Sequence, residues 1–310
     1  MYFATYLEKN GVSVADLLYQ WLKRHLTPES LFWIDQKIQD IKTGSSTQVF
    51  FTAFSGASRY TGKNVLKLTP EDLKAALTIR TGWVPSHWTV DQVARTLLVL
   101  ALPHENAEKY LRMLEQVFII ADVGELVALY QALPLLPYSE RLRDRASEGV
   151  RSNMTAVFNA IALRNPYPKD YLDNLAWNQL VLKALFVGSP LHLIQGFDER
   201  ANPELARMLV DYAHERDRAH RSISYELWRG VGKFADTEIL ADLARVLAHP
   251  DYQTSVQFGK WSIEQVAVAL ACAECPLPDA QKLLSNYPEL QTEIYAGRLS
   301  WNTLILSTTN

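Results

Sequence analysis

Cysteine is nearly absent: the 310-residue chain has two, Cys272 and Cys275. Two thiols cannot build the disulfide framework of a small secreted fold, and their scarcity fits a reducing compartment. Charge of one sign is also missing, with 31 Lys and Arg against 34 Asp and Glu for a formal net charge of −3. Without a basic excess there is no field to hold a phosphate backbone, so nucleic acid is not an expected partner. Long hydrophobic runs are lacking too. The longest, such as residues 97–102, fall far short of the roughly 20 residues a membrane-spanning helix needs. Positions 1–9, Met-Tyr-Phe-Ala-Thr-Tyr-Leu-Glu-Lys, carry neither the basic nor the apolar region of a secretory signal. A soluble, cytoplasmic protein is the expectation.

What is present is helical spacing. Ala94, Leu97, Leu98 and Leu102 mark a helix starting after Thr89, and Tyr110, Leu111, Leu114, Val117 and Phe118 mark the next. Leu126, Leu129, Tyr130 and Leu133 follow, then Ala156, Val157, Ala160, Ile161 and Leu163. Thr69-Pro70-Glu71-Asp72 sets a capping hydroxyl, a proline at the first helical position and acids suited to the dipole. Asn202-Pro203-Glu204 repeats that grammar ahead of Leu205, Met208, Leu209 and Tyr212. Clean period-two alternation is scarce, so the fold class is all-α.

Prolines punctuate the chain at Pro103, Pro134, Pro137, Pro166, Pro168, Pro203, Pro250, Pro276, Pro278 and Pro288. Several gaps are about 30 to 35 residues, near the period of helical-hairpin repeats, although no self-similarity accompanies them. The pattern predicts stacked antiparallel helical hairpins, loosely HEAT- or TPR-like, as an α-solenoid. No linker divides the chain, which points to a single domain over 1–310. Two stretches depart from the pattern. The apolar run at 49–54 fits a strand or a buried helix equally well, and residues 188–202 form a long irregular connection of the kind that often carries function.

Familiar chemistry is hard to find. Gly56 to Lys63 resembles a phosphate-binding loop, but five residues separate Gly56 from Gly62 and Asn64 stands where Ser or Thr should bind magnesium. Cys272-Ala-Glu-Cys275 has no second pair to complete a zinc site, and it ends an apolar helix rather than opening one. In Asp211-Tyr-Ala-His214-Glu215-Arg216, Arg218 occupies the place of the second histidine of a zinc motif. That segment reads either as a solvated face of mixed charge or as a polar site with His214 and Arg216 turned to a cavity. Neither a metal nor a cofactor is expected.

The segment 177–187, Trp-Asn-Gln-Leu-Val-Leu-Lys-Ala-Leu-Phe-Val, is apolar at nearly every position and should be buried all round. Gln179 and Lys183 share one face of it, with Asn178 beside them. A buried ammonium must be paired, neutralised or turned into a wet pocket, or else it snorkels to the surface along its stem. Asp198, Glu199 and Asp211 are the candidate partners. Asn159 on the preceding apolar helix and Asn165, expected to end that helix before Pro166, follow the same logic.

Several long blocks resemble the EboA family. They are Glu148-Gly-Val-Arg-Ser-Asn-Met154, Phe158-Asn-Ala-Ile-Ala-Leu-Arg-Asn-Pro-Tyr-Pro168, the 177–186 segment, and Asp198-Glu-Arg-Ala-Asn-Pro-Glu-Leu-Ala-Arg-Met-Leu209 running on to Arg216. Upstream, Arg59-Tyr-Thr-Gly-Lys63, Gly82-Trp-Val-Pro-Ser-His-Trp88, Ala121-Asp-Val-Gly-Glu-Leu-Val-Ala-Leu-Tyr130 and Leu133-Pro-Leu-Leu-Pro137 fit the same pattern. The resemblance covers about residues 50–235 and leaves the helices of 236–310 to stack on that core. It departs after Arg216, where Asp217-Arg218-Ala219-His220 replaces Trp and small residues. The resemblance implies an accessory role in moving or maturing secondary metabolites. The partners it implies are the other proteins of the ebo cluster, which include prenyltransferase-like, metal-hydrolase-like and sugar-phosphate-enzyme-like members.

Three readings follow. In the first, the protein is non-catalytic and binds a small metabolite or a partner in a polar pocket. Its lining would be drawn from Asn159, Asn165, Asn178, Gln179, Lys183, Asp198, Arg200, Asn202, Asp211, His214 and Arg216. In the second, it is a scaffold for the other cluster proteins. In the third, it is an enzyme with His214 as general base, oriented by Asp211 or Glu215, and Lys183 or Arg200 as electrophilic stabiliser.

Overall fold

Caps and prolines set where the helices begin. The Thr69 hydroxyl accepts the Asp72 N–H at 3.2 Å while the Asp72 carboxylate accepts the Thr69 N–H at 2.9 Å, a reciprocal capping box around Pro70. Gln92 reaches back in the same way to the Thr89 N–H, at 2.9 Å. The Asn202 carboxamide oxygen accepts the Leu205 N–H at 2.9 Å ahead of the next proline-led helix. Each of these starts is the one the sequence signals.

The computed structural model describes residues 8–9, 11–44, 46–248 and 257–308. It is almost wholly helical, so the all-α expectation holds. The residues up to Asp173 form one unit and those from Asn174 on form another. The first unit contains α1 (Val14–His25), α2 (Pro28–Lys42), α3 (Thr47–Thr61), α4 (Pro70–Ile79) and α5 (Val90–Leu100). It continues with α6 (Ala107–Ile120), α7 (Val123–Ala132), α8 (Arg143–Arg151), α9 (Thr155–Ala162) and α10 (Tyr167–Tyr171). The second contains α11 (Asn174–Val187), α12 (Phe197–Arg200), α13 (Pro203–Arg218) and α14 (Thr237–Ala248). It ends with α15 (Ile263–Glu274), α16 (Pro278–Ser285), α17 (Pro288–Tyr295) and α18 (Trp301–Thr308). Pro250 lies outside the described residues, as do positions 1–7.

Both units use the same device to start a helix. Glu8–Lys9 pairs antiparallel with Val12–Ser13, and Gln257–Phe258 pairs antiparallel with Trp261–Ser262. Each short hairpin ends on a serine that caps a helix, Ser13 over Asp16 of α1 and Ser262 over Gln265 of α15.

Within each unit the packing converges on one helix. In the first, α1, α3 and α7 close around α5, whose Val93, Ala94, Leu97 and Leu98 are fully buried. In the second, α14, α16, α17 and α18 surround α15, which is buried on every side from Val266 to Ala269. Small residues let neighbours approach α15 closely. At Gly232, in the short 3₁₀ turn Gly232–Phe234, an added Cβ would stand 2.4 Å from the Ala271 carbonyl oxygen and 2.7 Å from its Cα. Only glycine fits there, because the obstruction is backbone.

One open alternative is settled and one expectation changes. The 49–54 run is helix, inside α3, with Phe50, Ala53, Phe54, Ala57 and Thr61 on its buried face. Gly56 thus sits mid-helix and Gly62, at φ +74°, just past the helix end, so no phosphate loop forms. The 177–187 segment, by contrast, is not buried all round. Its helix exposes Leu175, Gln179 and Phe186 along one stripe. Apolar residues spread evenly around a helix give no phase to choose a buried face.

Candidate functional site

The two predicted carboxamides of the first unit, Asn159 on α9 and Asn165 just beyond it, differ in setting. Asn165 is buried and donates from Nδ2 to the carbonyls of Tyr130 and Ala160, at 3.0 and 2.9 Å, while its Oδ1 accepts the Tyr167 N–H. It knits the corner after α9, which ends at Ala162 rather than at Asn165 itself; Arg164, at φ +52°, makes the turn. Asn159 is half-buried on the same helix.

The second unit holds the remaining nine predicted residues. Asn178 is fully buried and exchanges hydrogen bonds with Asn202 across α11 and the start of α13, at 2.9 and 3.3 Å. The same Asn202 caps α13, so one amide pair fixes both the capping geometry and the approach of the two helices. Arg200 donates to Asn174 Oδ1 at 3.0 Å and lies 4.8 Å above the Trp177 ring. Asp198 accepts from Arg229 at 2.5 Å. Arg216 donates through Nε and Nη2 to the Ser222 carbonyl, at 3.0 and 2.8 Å, closing the chain beyond α13. All of these side chains hold the local fold together.

His214 does not pair with Asp211 or Glu215 as the sequence suggested. Its Nε2 meets Asp242 Oδ1 of α14 at 2.8 Å, and Arg245 donates to that same oxygen at 2.8 Å. Among the described residues, those that line the hollow at Lys183 do not include His214. Lys183 opens onto a surface hollow of about 480 Å³ between α11 and α13, bounded by Leu182, Phe186, Met208, Asp211, Tyr212 and Glu215. Partial burial lowers the Lys183 ammonium below the usual lysine range. The Tyr212 hydroxyl donates to the Leu185 carbonyl at 3.4 Å, which ties the two walls together. Lys183 and Asp211 are therefore brought together at one mouth, with Gln179 exposed one turn away.

A second, more polar hollow of about 180 Å³ lies in the irregular 188–202 connection; of its lining, Asp198 was among the expected site residues, while His192 and Arg229 were not. His192, Gln195, Asp198, Glu199 and Arg229 line it. Behind it Glu226 is buried and accepts both the backbone N–H and the ring Nδ1–H of His192, at 2.5 and 3.1 Å. The carboxylate thereby holds the imidazole ring in place. The signal in sequence was Glu226 itself, an acid within the apolar Tyr-Glu-Leu-Trp run. Among the described residues, no cluster of three or more His, Cys, Asp or Glu side chains is set to hold a metal ion. The Cys272 thiol, buried at the end of α15, is pushed up to about 12 by desolvation and by neighbouring Cys275.

A family model described as metabolite traffic protein EboA matches residues 14–232, more than two thirds of the chain. The chain belongs to the EboA family. A role in metabolite traffic comes with that membership. No curated protein and no solved structure matches the chain. The EboA match takes in both hollows of the second unit and all eleven predicted site residues, but Asp242, which holds His214, lies beyond it. Among the described residues, no helix is long and apolar enough to cross a membrane.

Proposed function

We propose that this EboA family member is a non-catalytic cytoplasmic accessory protein of secondary-metabolite traffic that takes a small metabolite into the hollow between α11 and α13. The wall composition carries the reading. Leu182, Phe186 and Met208 offer apolar surface, and Lys183, Asp211 and Glu215 supply a few charged groups at one mouth. That make-up, at about 480 Å³, is the usual one for a small-molecule site. Phe186 is 80% exposed, a large apolar area that a bound ligand would cover.

Thermal-shift titration with secondary metabolites and sugar phosphates of the cluster tests the reading. At least one compound should raise the melting temperature of the wild type, and Lys183→Met should weaken that response. If Lys183→Met and Asp211→Asn bind every stabilising compound as the wild type does, the hollow is not the site.

A second reading is favoured by a separate observation. Leu175, Gln179, Lys183 and Phe186 fall on one stripe of α11, with Leu175 60% exposed. Such a stripe suits a partner helix, so the chain would scaffold other proteins of the ebo cluster. Pull-down with those proteins, compared with Phe186→Asp, separates the two readings: a lost partner supports the scaffold, and a lost ligand alone supports the pocket.

A further inference from the structure

The first unit carries a cavity that the metabolite-binding reading does not use. It is a slot of about 240 Å³ walled by Ile41 of α2, Phe50 of α3, Leu102 and Pro103 after α5, and Tyr110 and Met113 of α6. Its volume admits a chain of about eight methylene-sized groups at roughly 30 Å³ each. Among the described residues, one charged side chain lines it, the ammonium-bearing Lys109, and no carboxylate does. Beyond Ser46 a more polar hollow of about 460 Å³ continues the surface, lined by Lys37, Gln48, Thr52 and the stacked rings of Trp33 and Tyr60. Lys37 there donates to Asp40 at 3.0 Å. The two hollows share Ser46, so an apolar wall and a polar, cation-bearing wall meet at one point.

We propose that this slot binds an anionic amphiphile, its apolar chain lying against Phe50, Tyr110 and Met113 and its negative head beside Lys109 at Ser46. Charge complementarity selects the sign: a cationic head would face Lys109 with no acid in the slot to offset it. The start of α3 adds to this field, because its first turn contains no acidic residue and Ser46 makes no side-chain cap. Apolar contact supplies the affinity and the head sets the orientation.

The test uses the full chain and three probes of equal length: octanoate, octylammonium and octan-1-ol, titrated by calorimetry at low salt. Octanoate should bind about tenfold more tightly than octylammonium, with octanol between them, and the preference should shrink as salt is added. Met113→Trp fills the slot and should abolish octanoate binding. Lys109→Glu, a surface change that leaves the apolar wall intact, should reverse the preference toward octylammonium. Equal binding of the two charged probes, no binding of any probe, or an unchanged preference in Lys109→Glu overturns the proposal. Lys183→Met should leave these titrations unchanged, which keeps the outcome separate from that of the second-unit hollow.

Discussion

Two helices of similar apolar content, one in each unit, treat an embedded cation in opposite ways. In α5 Arg95 is only 3% exposed and carries its own partner one turn back. Asp91 accepts from it, while Arg95 Nε donates to the Phe54 carbonyl at 3.2 Å and the head lies 5.7 Å from the Phe54 ring. Asp91 is itself held by the Thr89 hydroxyl at 2.6 Å. In α11 no acid lies within the helix, and Lys183 opens onto a hollow whose acids, Asp211 and Glu215, stand on α13. A cation supplied with an i,i+4 acid can be sealed into a core, whereas one without it stays where water reaches. The first arrangement seals the charge inside the core, and the second sets it at the edge of a surface hollow.

The sharpest way to break this comparison is to remove one charge from each helix. Arg95→Met leaves Asp91 buried and uncompensated and should cost about 3–5 kcal/mol in urea denaturation. Lys183→Met in the same assay should change stability by less than about 0.5 kcal/mol. Similar losses in the two variants would mean that Lys183 is as much part of a core as Arg95.

His87 sharpens the comparison as an intermediate case, a half-buried base with an amide in place of an acid. Its Nε2 faces the Gln131 amide at 3.0 Å, and desolvation, with repulsion from Arg164, lowers its pKa to about 4. A folded pKa below the unfolded value near 6.5 means that stability is full above pH 6.5 and falls as pH drops toward 4. The loss should reach about 2 kcal/mol once water screening of the half-buried ring is allowed for. Urea midpoints of the wild type and His87→Gln, measured between pH 7.5 and 4.5, isolate it; parallel curves would remove the effect.

A smaller loss is expected from the amide pair that positions α11 against α13. Asn202→Ala removes a helix cap and leaves Asn178 without its partner, costing about 1–2 kcal/mol. Asn202→Asp keeps the cap and should recover about half of that. If Asn202→Ala is neutral, the pair does not hold the walls of the Lys183 hollow.

Local grammar was legible and long-range partnership was not. Thr69-Pro70, Thr89 and Asn202-Pro203 mark helix starts because capping is settled within four residues. The helix at 47–61 was legible in principle: Phe50, Ala53, Phe54, Ala57 and Thr61 have helical spacing, but the β-branched and aromatic run at 49–54 masks it. The exposed stripe of α11 was not, because an apolar residue on every side gives periodicity nothing to detect. Asn202 could be read as a cap, while its pairing with Asn178 depends on a fold that spans 24 residues. His214 found Asp242 28 residues on, and His192 found Glu226 34 residues on, separations over which sequence spacing carries no geometry.

The stretch shared with the family stops at residue 232, yet that position is no seam in the protein. Gly232 presses bare backbone against Ala271, and the buried Leu227, Trp228 and Val231 beside it belong to a segment packed on α15, thirty residues downstream. Chain cut at 232 would strip the roof from those side chains. The boundary of kinship and the boundary of cooperative folding therefore fall in different places, and an expressible fragment must keep the helix that the relatives' shared pattern does not reach.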